Sequence, residues 1–283
     1  MNGLLLLGYS VALKDVWLGF HEESRDAFLL SLYPISLLER REDHKGEAFL
    51  SSSYWWFGGL NLKAGGSYKL MNDHALMGEI DVVSLGSYSE VDEHGNEIGT
   101  VGIMTYGFKG AYSGRFSFSS FAVEPVASLQ FMYVSLGFPI FSFGIDLGAL
   151  LKRPFANIGD AEIFFNVRNL LSDWMYAGVY LGYEFSLKNG VYMNSLAGVG
   201  SRVFSGFVSP EILVKSHFPV NVSKDLKMDG IADVTAKFLP SQDVPVEFRL
   251  FVGAGYSSFE AGFLMGSVGA AGLFYGVSGS MRF

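Results

Sequence analysis

The sequence predicts an all-β transmembrane fold: an antiparallel up-and-down β-barrel of about 14 strands, with about 12 as the fallback count. Three observations predict it. The chain is apolar yet has no apolar run of helix length. Its apolar residues alternate with polar ones in segment after segment. It ends on an aromatic residue at the close of such a segment.

The apolar character is spread out. Of 283 residues, 49% are hydrophobic and 17% charged, with a mean hydropathy of +0.29. A transmembrane helix needs roughly 18 or more consecutive apolar residues. The nearest candidate, residues 26–38, is shorter and holds Asp26, two serines and Pro34. A closed sheet is the other structure that crosses lipid, because hydrocarbon offers an unpaired backbone group no partner and closure removes the edges. The 35 glycines and 16% aromatic residues suit strands of about ten residues joined by turns.

Composition also narrows the function classes. Cysteine is absent, which removes disulfides and thiolate chemistry. The net charge of -8 and pI near 5.1 speak against a nucleic-acid partner, which calls for clustered Lys and Arg. The opening MNGLLLLGYS lacks a basic stretch before its short apolar run and makes a poor signal peptide. We read the chain as a mature exported form; the alternatives are that residues 4–7 are the remnant of a leader, or that the chain is not exported.

Along the chain, residues 1–45 stand apart from 46–283. KDVWLGFHEESRDAF and SLLERREDHKGE are charge-rich and do not alternate, so this segment is expected as a plug in the barrel or a helix at its periplasmic mouth. The alternative is one more strand and loop. From residue 46 on, alternation takes over. Leu60, Leu62, Ala64, Gly66, Tyr68 and Leu70 oppose Asn61, Lys63, Gly65, Ser67 and Lys69, and Phe141, Phe143, Ile145, Leu147 and Ala149 oppose Ser142, Gly144, Asp146 and Gly148. In WMYAGVYLGYEFSL, Met175, Ala177, Val179, Leu181, Tyr183, Phe185 and Leu187 make one face, and Tyr176, Gly178, Tyr180, Gly182, Glu184 and Ser186 the other. DLKMDGIADVTAKF and residues 244–257 follow the same rule.

Charge collects on one parity, as a bilayer demands, since a Lys or Arg facing lipid near the midplane costs about 2–4 kcal/mol. A soluble sandwich also alternates but turns its charges outward. The lumen-facing set is therefore expected to be Lys63, Lys69, Glu79, Asp81, Lys109, Asp146, Arg168, Glu184, Arg202, Lys227, Asp229, Asp233, Lys237, Glu247, Arg249 and Arg282. Both signs occur, so the set either lines a watery passage or pairs across a closed interior; a ring of one sign would have argued for selectivity. Trp55 and Trp56, with Trp174 and Tyr176, are expected at the membrane interface, where a ring is half wet and half buried.

Turns are expected at Asn72-Asp73, Asn189-Gly190 and residues 240–243. The last segment, AAGLFYGVSGSMRF, keeps Ala271, Leu273, Tyr275, Val277, Met281 and Phe283 on one parity. This ending resembles the C-terminal signal through which the barrel-assembly machinery recognises outer-membrane barrels, with Phe283 as its terminal residue.

Nothing in the chain has the pattern of a catalytic, metal or cofactor site. The five histidines (His21, His44, His74, His94 and His217) are scattered, with no metal-type partner at helix or strand spacing. Tyr192-Met193-Asn194-Ser195 lacks a base and reads as strand. Asp92, Glu93, Asn96 and Glu97 do not follow calcium-loop order and read as a solvated hairpin tip.

Three stretches resemble the FadL-related barrels of the PorV/PorQ-like group. IDVVSLGSYSEVDEHGNEIGTVG is similar to that group's strand, polar hairpin and returning strand, with Asp92, Gly95 and Gly99 at the hairpin. FGIDLGALLKRP places an aspartate within an apolar run, and EIFFNVRNLLSD ends in a V-x-N-L pattern at Val167, Asn169 and Leu170. The resemblance spans residues 50–187; the group's N-P-A-G opening is missing. It implies a barrel of about 14 strands and no enzymatic activity, in a group that takes up hydrophobic compounds or serves secretion and envelope assembly.

Three roles follow as expectations for a bacterial outer-membrane barrel with the lipid bilayer as its surroundings. One is a porin-like passive channel for small solutes. Another is a non-conducting structural barrel that paves or scaffolds the envelope as a homo-oligomer, a trimer among the choices, through small-residue outer faces such as GSVGAAG at 266–272. The third is FadL-like uptake of hydrophobic compounds.

Overall fold

The computed structural model describes residues 45–55, 58–71, 73–91, 94–135, 139–155, 159–168, 170, 174–187, 191–204, 207–223, 225–238, 246–268 and 272–283. The segment expected as plug or periplasmic helix therefore lies outside the described residues, apart from Lys45.

Alternating runs rich in Val, Phe, Tyr, Leu and Ser form strands because such side chains fit a pleated surface with two unlike faces. The strands are β1 (Gly46–Trp55), β2 (Leu60–Met71), β3 (His74–Val91), β4 (Glu97–Gly114), β5 (Phe116–Ser117), β6 (Ala122–Ser135), β7 (Pro139–Phe155), β8 (Gly159–Arg168), β9 (Trp174–Leu187), β10 (Val191–Phe204), β11 (Phe207–Asn221), β12 (Leu226–Lys237), β13 (Val246–Tyr256), β14 (Phe259–Val268) and β15 (Gly272–Arg282). Strands end at Met71, Leu187 and Lys237; of the expected turn residues Asp73 is in a turn, and Asn72, Asn189, Gly190 and residues 240–243 lie outside the described residues.

The strands make one antiparallel sheet that closes on itself. Sequence neighbours pair all the way round, β1 pairs with β15 in the register Ser51↔Ser278, and β4 pairs with β6 across the two-residue β5, with Ser113↔Val126 at one end of that ladder and Met104↔Ser135 at the other. The wall is thus a closed barrel of 14 strands, at the higher of the two expected counts. At the seam Phe283 extends the pairing: its amide donates to the Gly46 carbonyl (3.0 Å), and its carbonyl accepts from the Lys45 and Gly46 amides (both 2.9 Å).

Burial is reversed relative to a water-soluble barrel. Along β2, Leu60, Leu62, Ala64 and Tyr68 are exposed while Asn61, Lys63 and Ser67 are buried; along β13, Val246, Phe248, Leu250 and Val252 are exposed while Glu247, Arg249 and Phe251 are buried. Leu50 and Leu181 are each 63% exposed, and Val277 60%. A surface of this kind is stable only where hydrocarbon replaces water around it. On that outer parity Ser195 and Ser216 satisfy each other through a 3.1 Å hydroxyl–hydroxyl bond, and His74 and Tyr112 pair at 2.7 Å.

The rim opposite the C-terminus is stepped. Tyr54, Leu60, Ser84, Met104, Ser135 and Pro139 stand level, each the register partner of the next. The β7–β8 ladder begins only at Leu147↔Val167, so residues 139–146 of β7 rise above β8. One bond follows beyond the ladder, from the Leu170 amide to the Ile145 carbonyl at 2.9 Å.

Candidate functional site: the inner wall

Since side chains alternate strictly along a strand, the inward parity carries all the chemistry the barrel can offer its contents. Two sectors differ sharply.

The first sector, β2 to β7, is ionic. Lys63 lies 3.5 Å from Asp81 and 3.9 Å from Glu79, and all three side chains are at most 2% exposed. Lys63 and Asp81 are direct register partners, and Glu79 is the partner of Lys109 on the next strand. Lys109 reaches Asp146 of β7 at 3.3 Å. The Asp146 carboxylate also accepts from the Ser128 hydroxyl (2.9 Å) and the Gln130 amide (3.3 Å). Acids and bases thus alternate across the strands, and each charge faces its opposite in a site where an unpaired one would be costly. Lower on the wall Arg115 pairs with Glu124, and outside this sector Arg282 of β15 donates to Glu260 of the neighbouring β14 at 2.7 Å.

The second sector, β8 to β10 and β13 to β15, is aromatic and glycine-rich. The Tyr176 and Tyr180 rings lie against the inner wall, and their hydroxyls are hydrogen-bonded to each other. They cover Gly178, Gly198 and Gly200: a Cβ at Gly198 would stand 2.2 Å from the Tyr180 ring and 2.5 Å from the Val179 carbonyl. Phe164 packs beside Tyr180, with ring centroids 5.9 Å apart. On β13 to β15 the Phe251 ring covers Gly253 and Gly262, and Phe274 covers Gly266 while also meeting Trp55 at 5.0 Å. Glycine is required under each ring because any side chain there would lift the ring from the wall. The small cluster of Phe49, Ala75, Met77 and Ala111 carries the apolar lining over to the ionic side.

Of the residues expected in the lumen, Lys63, Glu79, Asp81, Glu247 and Arg249 are buried, and Lys69, Lys109, Asp146, Lys227 and Arg282 are partly buried. Arg168 ends β8, Glu184 lies on β9, Arg202 on β10, and Asp229, Asp233 and Lys237 on β12. Their Cα partners include Arg168↔Tyr176, Arg202↔Tyr176 and Asp233↔Arg249; their side chains are outside the description.

The aromatic expectation needs correction. Trp55 is fully buried against Phe274, and Tyr176 is 4% exposed over glycine; both sit on the inward parity, not at the membrane interface. Their strand phase decides this: Trp55 shares its parity with Ser51 and Ser53, and Tyr176 shares its own with Tyr180. Trp174 opens β9, its side chain is outside the description, and Trp56 is outside the described residues. Gly266, counted above as part of a small outer face, is also inward, beneath Phe274, while residues 269–271 lie outside the described residues.

Inward groups that the sequence reading missed include Glu47, Glu124, Asn166, Glu211 and Glu260, all buried. Phase would have found them: Glu124 is in step with Ser128 and Gln130, and Glu260 falls opposite Gly255 on the polar parity of β13.

No protein-family model matches the sequence, and no curated protein matches it. Solved structures do match in fold. The Pseudomonas putida toluene transporter TodX aligns over 90% of this chain and 93% of its own, at 9% identity and a TM-score of 0.58. A TodX deltaS2S3 mutant, described as a monoaromatic hydrocarbon channel, aligns over 90% and 94% at 8% identity and a TM-score of 0.55. What the chain shares with them is the barrel fold.

Proposed function

We propose that this protein is a bacterial outer-membrane channel, porin-like, that passes small solutes through its polar interior. The observation that carries the reading is the reversal of polarity in a closed wall: charged and hydroxylated residues inside, Leu, Val, Phe and Tyr outside. Lipid fits only the outer face, and polar solutes or water only the inner one. The architectural likeness to TodX supports a barrel built for passage, with no bearing on what passes. In this reading Phe283, bonded into the seam, is the residue by which the assembly machinery recognises the chain.

One observation favours a second reading. Lys63, Glu79, Asp81 and Glu124 are almost wholly buried, as expected if salt bridges and packing shut the interior and the barrel serves as a non-conducting structural element. Hydrophobic uptake has some support from the Phe164–Tyr180 patch, although the ionic half of the wall disfavours an apolar passage.

The deciding experiment is reconstitution of purified protein in planar bilayers. Stepwise conductance is the expected result. A silent membrane, at protein loadings where vesicles show full insertion, overturns the channel reading and leaves the closed barrel.

A further inference from the structure

The longest strands, β3 and β4, run past the rim. The β2–β3 ladder stops at Leu60↔Ser84 and the β4–β6 ladder at Met104↔Ser135, while β3 and β4 stay paired with each other through Ser87↔Gly102, Ser89↔Thr100 and Val91↔Glu97. Residues 85–91 and 97–103 thus form a two-stranded ribbon beyond the ladders of the wall, and among the described residues neither edge has a ladder partner. The departure is built in: the register shifts between Ser84 and Ser87, where Gly86 takes a φ of 84°, a conformation that glycine adopts without strain. Ser87, Ser89, Thr100 and Gly102 share one face and are exposed, as is Ile98 at 62%.

An open edge of seven residues on each side is a template for a further strand. Its charge selects what can be added. From residue 70 to residue 108 the chain has no Lys or Arg, the two strands of the ribbon hold Glu90 and Glu97, and the sequence between them adds Asp92 and Glu93. A second copy of this chain would bring like charges edge to edge, which opposes self-pairing. An extended segment with alternating basic residues meets no such barrier and gains both main-chain bonds and charge attraction.

We propose that the β3–β4 ribbon is a docking site, by strand addition, for an extended basic segment of another protein at the face of the barrel opposite its C-terminus.

The test uses the full chain in lipid nanodiscs and a fluorescent, capped (Lys-Val)4 peptide as probe. Anisotropy should report binding, and hydrogen exchange of residues 85–103 should slow when the peptide is present. The same peptide N-methylated at alternate residues keeps its charge but cannot form one edge of a ladder, and should bind roughly tenfold more weakly. The E90Q/D92N/E93Q/E97Q variant should lose most of the salt dependence, and a variant lacking residues 87–101 should not bind at all. Equal binding of the N-methylated peptide, or exchange protection elsewhere in the chain, would reduce the effect to adsorption on an acidic surface and overturn the proposal. Absence of binding overturns it as well, and so does ribbon-dependent dimerisation in sedimentation, which would make a second copy the occupant. Heat-modifiable migration on gels confirms that each variant is folded.

Discussion

The two halves of the inner wall solve one problem in opposite ways. On β2 to β7 inward polar groups are held by partners across the strands, as in the Lys63, Asp81 and Glu79 group and the Lys109 and Asp146 pair with Ser128 and Gln130. On β9, β10 and β13 to β15 bulky rings are held by the absence of a neighbour, lying on Gly178, Gly198, Gly200, Gly253, Gly262 and Gly266. Charge pairs dominate the first half and ring-on-glycine seats the second, where Glu247 with Arg249 and Glu260 with Arg282 add ion pairs of their own. The lesson is that an inner wall can be ordered either by pairing charges across strands or by removing side chains beneath rings.

The comparison predicts unequal responses to substitution. The largest effect belongs to the ionic half: Lys63→Met removes the buried cation that faces the Asp81 and Glu79 carboxylates and should cost about 3–5 kcal/mol in urea unfolding from vesicles. The added change Asp81→Asn should recover part of that loss, and full additivity of the two single changes would show that the pair is not coupled.

The outer faces of both halves are alike and should respond alike. Leu62→Arg in the ionic half and Leu250→Arg in the aromatic half each place a cation on the exposed apolar belt, at a cost of about 2–4 kcal/mol when near the midplane. A difference of more than about 2 kcal/mol between them, beyond that depth-dependent range, would mean that only one face meets lipid.

In the aromatic half, Gly198→Ala puts a methyl group into the Tyr180 ring and the Val179 carbonyl and should destabilise by about 1–3 kcal/mol through overpacking. Combining it with Tyr180→Ala should relieve the clash, which a purely backbone effect of glycine would not allow. The smallest effect expected is Ser128→Ala, which removes one hydrogen bond to Asp146 while Lys109 and Gln130 remain, worth about 0.5–1.5 kcal/mol.

Strand phase was readable because a bilayer penalises errors at every second position. The segments beginning at Leu60 and at Trp174, the breaks at residues 72–73 and 189–190, and the inward placement of Lys63, Asp81 and Glu247 all follow from a period of two and a consistent location of charge. The sign of each face could be read wherever a charge marked it. Where tyrosine or tryptophan stood in the polar phase, as at Trp55 and Tyr176, ring chemistry alone pointed to the membrane interface and misled; phase and the glycines opposite sent the rings inward. Glu124 and Glu260 were overlooked because single charges in short stretches give the eye little periodicity to follow.

By itself, the sequence determined that this chain is built of two-faced strands and not of membrane-length helices, because local alternation and the lack of an 18-residue apolar run are properties of neighbouring residues. Tertiary structure decided the closure at 14 strands, the meeting of Lys63 with Asp81 and of Lys109 with Asp146, the seating of Tyr180 on Gly198, and the rise of the β3–β4 ribbon beyond the rim. Each depends on the register between strands, and register is set by how all the strands together close the ring, which no single segment encodes.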